Sequence, residues 1–395
     1  MLDVTTIVLA GGRGDRLRPL TDCCAKPAVP FAGRRLIDFT LLNCVRSGIQ
    51  DVEVLVQYRS ESVENHLRRT WGKRFTSLRV LSSQALGRRF AGTADAVRAA
   101  LSGRSSSDRL LVLAGDHIYR MDYRKMLAFH EQCNASATLS VIPVPRQEAS
   151  RLGVVAVDRE GVVEAFQEKP ADPPGIPDRP ELSLVSMGIY VFDRTALTAF
   201  LHDVPGTTDF GHHVLPRMLD QGHRIGAYSF LRQGAGSYWR DIGDVDAYHG
   251  ALMDLVCSDT ELGVEWPASA DAAGPARFRE GPGHQAPGVA RNAWIGPDSV
   301  VAGGLVERSV LGRGVRVEHH AEVIECVLMD GAVVGAHARL RRAVVEAGVR
   351  IPPGALIGYG SERCPLPVQT TAGGVAVVSQ PIDEPRPSIR VPASR

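Results

Sequence analysis

The chain has no C-x-x-C pair, although it carries seven cysteines in 395 residues. They are scattered (Cys23, Cys24, Cys44, Cys133, Cys257, Cys326, Cys364), and no Cys/His spacing resembles a zinc site. An odd, unpatterned set reads as reduced thiols in a cytoplasmic protein. No apolar run approaches the roughly 18 residues of a membrane span. The opening MLDVTTIVLAGG has neither a basic stretch nor a cleavage-site pattern, so a signal peptide is not expected. Charge of one sign is also missing. Lysine plus arginine is 45, aspartate plus glutamate 44, and the net charge +1. Such a chain has no global field for gathering nucleic acid or an anionic membrane. An anionic ligand must therefore be held by a local cluster of donors. What is present is a 44% hydrophobic, 23% charged composition, which excludes disorder and suits two or three globular domains.

Short apolar runs alternate with amphipathic stretches through the first two-thirds. Thr6–Ala10, Val52–Val56, Leu110–Leu113, Thr138–Ile142 and Ile189–Phe192 read as buried strands. Leu36–Ser47, Thr93–Leu101 and Tyr123–Cys133 read as helices. This alternation predicts a wound α/β sheet over residues 1–257, with ligands beyond the carboxyl ends of its strands. From 258 to 288 the chain is dense in Pro, Gly and Ala and reads as a connection between domains. Then an aliphatic residue recurs every five or six positions: Ile295, Val301, Val306, Leu311, Val317, Val323, Leu328, Val334, Leu340, Val345, Ile351, Ile357. Helices need a period of 3.6 and alternating strands a period of 2. A spacing near six is the hexapeptide signature of a parallel β-helix, expected over 289–380. The adjacent His319 and His320 read as corner residues whose rings, on strand-like chain, point in opposite directions. The tail from 381 to 395 is rich in Pro and Arg and reads as loose.

Five strings carry chemistry. LAGGRGDRLRPLT (Leu9–Thr21) follows the first strand. Gly11, Gly12 and Gly14 let backbone N–H groups approach a ligand, and Arg13, Arg16 and Arg18 add fixed positive charge, a combination that suits a triphosphate. The string fits neither the Walker nor the dinucleotide pattern. In AKPAVPF, Lys26 precedes a proline and is expected in extended chain, within reach of the same phosphates. In LLVLAGDHIYRMD, Asp116 stands at the carboxyl end of a buried strand, a position that suits Mg²⁺. In AFQEKPA, Glu168 can accept sugar hydroxyls and Lys169 can bind a monophosphate. In SYWRDIGDVDAY, Asp241 offers a second carboxylate for the metal.

Taken in order, these strings, with GTADAV, SMGIYVF and YWRDIGDVDAYHGALMDL, resemble the sugar-1-phosphate nucleotidyltransferases, and within them the ADP-glucose pyrophosphorylase (glucose-1-phosphate adenylyltransferase) family. The resemblance covers residues 5 to 358. It implies a Rossmann-like domain with a mixed, mostly parallel sheet, followed by a left-handed parallel β-helix. The implied reaction joins ATP and glucose 1-phosphate into ADP-glucose and pyrophosphate with Mg²⁺. The implied catalytic residues are Asp116, Arg13 and Lys26. Gly11, Gly12, Arg13, Gln84, Gly92 and Asp95 would bind the nucleotide, while Gly153, Glu168, Lys169 and Ser186 would take the sugar phosphate. Asp116 and Asp241 would hold the metal. Homo-oligomers, typically tetramers, are implied as well. The substrates bring roughly six negative charges together, and one Mg²⁺ with Arg13, Lys26 and Lys169 offsets about five.

The chain also departs from the family pattern. Ser82-Ser83-Gln84-Ala85 replaces Pro-Ala-Gln-Gln, Arg89-Phe90-Ala91 replaces a Trp-Tyr pair, and the loop between is shortened. Cys23 and Cys24 stand where relatives often carry basic residues for a phosphorylated activator, so a weak response to such an activator is expected. The alternative that follows is a paralogue acting on another sugar or cyclitol phosphate, with GTP as a possible donor. Acyl transfer by the β-helix is disfavoured by its short, plain repeats. A non-catalytic subunit is disfavoured because Asp116, Asp241, Lys26 and Lys169 all stand.

Overall fold

The TTIVL run becomes a strand buried on both faces, Thr5–Leu9 (β1), with Ile7 and Val8 fully enclosed. It is flanked by parallel partners, Asp51–Val56 (β2) and Arg109–Ala114 (β4), and Ser77–Ser82 (β3) pairs with β2. The computed structural model describes residues 3–101, 107–204, 206–234, 237–257, 276–282 and 286–380. The expected tail, and most of the expected connection between domains, lie outside those residues.

Helices alternate with these strands at the places their apolar periodicity marks: Leu36–Arg46 (α1), Ser60–Thr70 (α2), Thr93–Leu101 (α3) and Tyr123–Cys133 (α4). The α4 start is fixed by Asp122, whose side chain accepts from the Arg124 amide. A short strand, His117–Tyr119 (β5), precedes α4. Ala137–Pro145 (β6), Gly153–Val157 (β7), Val163–Glu168 (β8), Leu182–Asp193 (β9) and Ile225–Ser229 (β10) complete the main sheet. Trp239–Asp241 (β11) pairs with β5 in a ribbon of three residue pairs.

The order across the sheet is β8-β7-β9-β4-β1-β2-β3, with β6 on β9 and β10 on β6. The run β4-β1-β2-β3 is parallel, whereas β9 is antiparallel to both β4 and β6. The chain leaves β1 toward β2 and β3, then returns on the other side as β4. That reversal opens a crevice beyond the carboxyl ends of β1 and β4. One apolar cluster, from Ile7 and Leu110 to Phe192, Phe210 and Ile225, fills the interior under it.

By contact density the chain forms two units. The first holds residues 1–13, 24–28 and 36–241, and the second holds 14–23, 29–35 and 242–395. In the second, strands stack in parallel on three faces. Leu305, Glu322, Arg339 and Leu356 occupy one column, so each coil is 17 residues. From Val301 to Ile357, every aliphatic residue of the hexapeptide series is buried in a single cluster; Ile295 packs on its edge. Arg277–Arg279, in the stretch read from sequence as a connection, pairs with Val300–Ala302 as part of the first coil. The imidazoles of His319 and His320 do not diverge. Their centroids are 5.6 Å apart, and the His337 ring lies 5.3 and 4.9 Å from the two. His320 is left-handed (φ 55°), so the alternation of a strand does not apply at this corner.

Candidate active site

A cleft of about 490 Å³ opens where the sheet order reverses. Its walls run from β2 (Leu55) across β1 (Leu9) and β4 (Ala114) to β9 (Tyr190) and β8 (Glu168). Of the residues read from sequence, Gly11, Gly12, Gly92, Asp116, Glu168 and Lys169 line it. A side chain at Gly12 would meet nothing within 4 Å, so its backbone faces open space. Gly11 approaches Gln57, whose Cβ would lie 3.3 Å from an added Cβ. Gly92 packs on the Thr208 carbonyl too closely for any side chain, and that carbonyl caps α3 by accepting from the Ala94 and Asp95 amides.

Asp116 follows β4, and Asp241 ends β11, far apart in the chain. They converge on one ammonium. Lys26 Nζ is 2.7 Å from Asp116 Oδ2 and 3.6 Å from Asp241 Oδ1. Lys26 is buried, and it begins a one-turn 3₁₀ segment, Lys26–Ala28, rather than lying in extended chain. The Ala28 amide donates to the Ala25 carbonyl, and Pro27, lacking an N–H, leaves no donor unsatisfied inside that turn. Burial pushes the Asp116 carboxyl up, but the Lys26 charge, the His117 ring and the Lys26 hydrogen bond outweigh it. The group is held below the usual carboxylate range. Two carboxylates that meet at one cation suit a hard divalent ion completing its shell with phosphate oxygens. Among the described residues no group of three or more His, Cys, Asp or Glu forms a self-sufficient metal cage. Two carboxylates leave most of a divalent ion's coordination positions to other oxygen ligands.

Glu168 and Lys169 form the other wall. Lys169 Nζ pairs with Glu168 Oε1 at 2.7 Å. Lys169 is left-handed (φ 50°) although it precedes Pro170, a conformation that costs backbone energy and is tolerated mainly at sites that need it. The Glu168 carboxylate lies in a cradle that side chains would fill, since a Cβ on Gly153 or Gly211 would crowd Oε2. Gly153 thus acts behind Glu168. Ser186 is buried, and its hydroxyl accepts from the Gly188 amide at 3.3 Å.

Three residues read as nucleotide-binding do not line the cleft. Arg13 stacks 5.8 Å over the Tyr58 ring. Gln84 lies in the exposed turn after β3, where its carbonyl accepts from the Gly87 amide. The Asp95 carboxylate is taken up by Arg88 at 2.8 Å, the Ala91 amide at 3.0 Å and Arg98 at 3.4 Å.

The structure adds residues that sequence reasoning passed over. Gln57 brackets the Phe90 backbone, accepting from its amide at 2.5 Å and donating to its carbonyl at 3.3 Å. Asp209 accepts from Thr93 Oγ1 and from the Gly211 and His212 amides. Tyr190 packs on Phe210, and burial pushes its hydroxyl up to about 12, so it remains a donor. His117 lies beside both acids.

These features define a nucleotide-binding α/β domain with a two-carboxylate site, joined in one chain to a hexapeptide β-helix. The nucleotidyl transferase family model matches residues 5–257, and a model described as GlmU-like, C-terminal hexapeptide matches residues 274–378. The chain is 39% identical to a glucose-1-phosphate adenylyltransferase of Deinococcus deserti, over 91% of this chain and 94% of the relative. It is 39% identical to one of Novosphingobium aromaticivorans, over 96% of each chain. Glucose-1-phosphate adenylyltransferase 2 of Vibrio cholerae is 38% identical, over 96% of this chain and 98% of the relative. The chain belongs to the nucleotidyl transferase family and, within it, to the glucose-1-phosphate adenylyltransferases.

Proposed function

We propose that this protein joins ATP and glucose 1-phosphate to give ADP-glucose and pyrophosphate, the activated glucosyl donor for α-glucan synthesis. One observation carries the reading. Asp116, with Asp241 and Lys26 drawn onto it, follows the strand that separates the glycine loop of β1 from the Glu168–Lys169 wall. A triphosphate on the glycine side and a sugar phosphate on the Lys169 side then meet at the acids.

A phosphate oxygen of glucose 1-phosphate attacks the α-phosphorus in line. The bond from that phosphorus to the bridging oxygen breaks, and pyrophosphate leaves with the electron pair. No covalent enzyme intermediate is required, so the work is positioning and charge neutralisation. The Gly11 and Gly12 backbone cradles the triphosphate, with Arg13 next in the chain. Lys26 moves its charge between the acids and the phosphates. Lys169 takes the sugar phosphate. Glu168 accepts sugar hydroxyls, Tyr190 donates to them, and Gly153 and Ser186 shape their wall. Gly92 gives the nucleoside side its close approach, while Gln84 and Asp95 act on the nucleotide through the loop they border. Asp116 and Asp241 would hold Mg²⁺, whose charge offsets the repulsion between the two phosphates.

The test is a panel of nucleoside triphosphates and sugar 1-phosphates followed by pyrophosphate release. ATP with glucose 1-phosphate should exceed every other pair at least tenfold. GTP or another sugar phosphate in first place would reject the assignment. Chelation should abolish turnover, and Mg²⁺ should restore it. No helix of the described residues is long and apolar enough to cross a membrane. The assembly and compartment implied by the family resemblance lead us to read the protein as a cytoplasmic homotetramer, an assembly that light scattering checks.

A further inference from the structure

Asp241 stands on a ribbon of only three residue pairs, β5 with β11, in which His117 and Asp241 are direct cross-strand neighbours. So short a two-stranded ribbon holds its shape poorly alone, yet its acid must stay within one ammonium's reach of Asp116. The His117 ring is the physical link that supplies the restraint. Its Nδ1 is 3.0 Å from the Met187 carbonyl. A carbonyl can only accept, so Nδ1 carries the proton. Met187 lies in β9, where the register against β6 breaks between Ser186 and Tyr190 and Gly188 turns left-handed (φ 68°). Among the described residues no ladder pair involves Met187, and the bulge leaves its carbonyl to the imidazole. A Cβ on Gly188 would stand 3.4 Å from His117 Cε1, and Trp239 meets the ring edge-on at 5.6 Å. The far edge of the ring, Nε2, is 3.5 Å from Asp241 Oδ1 and 3.7 Å from Asp116 Oδ1.

We propose that His117 is a positioning residue: through its Nδ1–H bond to the Met187 carbonyl it fastens the acid-bearing ribbon to the nine-stranded sheet and holds Asp116 and Asp241 at the spacing a divalent ion needs. The inference rests on the metal reading of those acids given above. It assigns the function to the tether and not to the bulk of the ring.

Two substitutions separate the ring's two nitrogens. An asparagine side chain places an amide N–H near the Nδ1 position, whereas a glutamine side chain places it near Nε2. The probe is Mn²⁺, titrated by calorimetry and electron spin resonance into the full chain saturated with a non-hydrolysable ATP analogue. His117→Asn should keep Mn²⁺ affinity within threefold of the wild type. His117→Gln should weaken it at least tenfold and lower kcat in proportion, with KM for the sugar phosphate changed less than twofold. His117→Phe, which fills the space without a donor, should behave like the glutamine variant. Wild-type affinity in the phenylalanine variant, or equal loss in the asparagine and glutamine variants, overturns the inference while leaving the metal site standing. Failure of the wild type itself to take up Mn²⁺ overturns the metal reading and the inference with it.

Discussion

The two units handle their polar groups in opposite ways. In the β-helix, each coil repeats the last. Its aliphatic residues enter one cluster, and its charges face outward in pairs such as Arg339 with Glu322. In the α/β unit, the equally apolar cluster ends at the strand termini, and the polar groups beyond it face inward on each other: Lys26 on two acids, Glu168 on Lys169, Asp95 on two arginines. Repetition distributes stability, whereas chemistry gathers where repetition stops. Backbone conformation shows the same contrast. Left-handed residues of the β-helix recur at the 17-residue step at equivalent corners: Arg308, Glu325 and Arg342 in one series, Gly303, His320, His337 and Gly354 in a second, and Gly314, Gly331 and Gly348 in a third. Those bordering the cleft, Lys169 and Gly188, follow no such period and serve individual contacts.

The comparison breaks most sharply at Asp116. Replacing it by alanine should lower kcat by ~10³-fold, the scale seen when one preorganised charge-stabilising group is lost. The fold should survive, because the Asp116 side chain is outside the apolar cluster, but with a loss of about 1–3 kcal/mol, since the buried Lys26 ammonium is left with Asp241 as its remaining acid. Near-normal turnover in single-turnover assays would remove its role. Leu340→Ala should do the reverse. Leu340 is fully enclosed in the β-helix, and truncation there costs about 2–5 kcal/mol. Denaturant melts should show that loss, while kcat per folded molecule stays within twofold. A large fall in kcat with unchanged stability would dissolve the division of labour.

How much of this was legible in the sequence follows from the same contrast. A hexapeptide ladder announces itself because each coil needs the same residue type at the same step, and the series from Val301 to Ile357 is the buried one. Thr93–Leu101 and Tyr123–Cys133 are helices over those same residues because their apolar spacing agrees with them, and the second also carries its own cap at Asp122, whereas the first is capped by the distant Thr208 carbonyl. Asp116 was readable as a carboxylate leaving a buried strand. His117, its neighbour, was not, because its partner carbonyl at Met187 is set by a bulge 70 residues away. Gln57 and Tyr190 were equally silent, since hydrogen bonding to Phe90 and packing on Phe210 depend on the folded sheet. Asp209 did leave a trace. An aspartate ahead of Phe-Gly-His-His is a cap signal, and its side chain does accept from the next turn's amides. Lys26 was placed in extended chain by its proline, but a single 3₁₀ turn tolerates Pro27 and brings the ammonium inward.

Lys169→Ala sharpens the comparison within the cleft. A charge-assisted contact to phosphate is worth about 2 kcal/mol, so KM for the sugar phosphate should rise ~30-fold. KM for ATP should change less than twofold if the two walls serve different substrates. Steady-state kinetics with each substrate varied in turn gives both numbers, and equal rises would merge the walls into one site.

The smallest effect tests whether Asp95 belongs to chemistry or to architecture. Burial raises its carboxyl, but the Arg88 hydrogen bond, the Ala91 amide and the charges of Arg88 and Arg98 outweigh burial and leave it below its ordinary value of 3.8. A depressed native value means that the ionised form stabilises the fold. That contribution is complete above the ordinary aspartate range, declines as pH falls through the native value, and is absent below both. Asp95→Asn should therefore cost about 1–2 kcal/mol at pH 7 in urea melts. The gap between variant and wild type should hold steady down to about pH 5 and close toward pH 3. Because Gln57 still brackets Phe90 from the other side, the loop should keep its course and KM for ATP should rise no more than threefold. A rise of ten-fold or more, with the stability gap independent of pH, would move Asp95 from the loop's framework to the nucleotide itself.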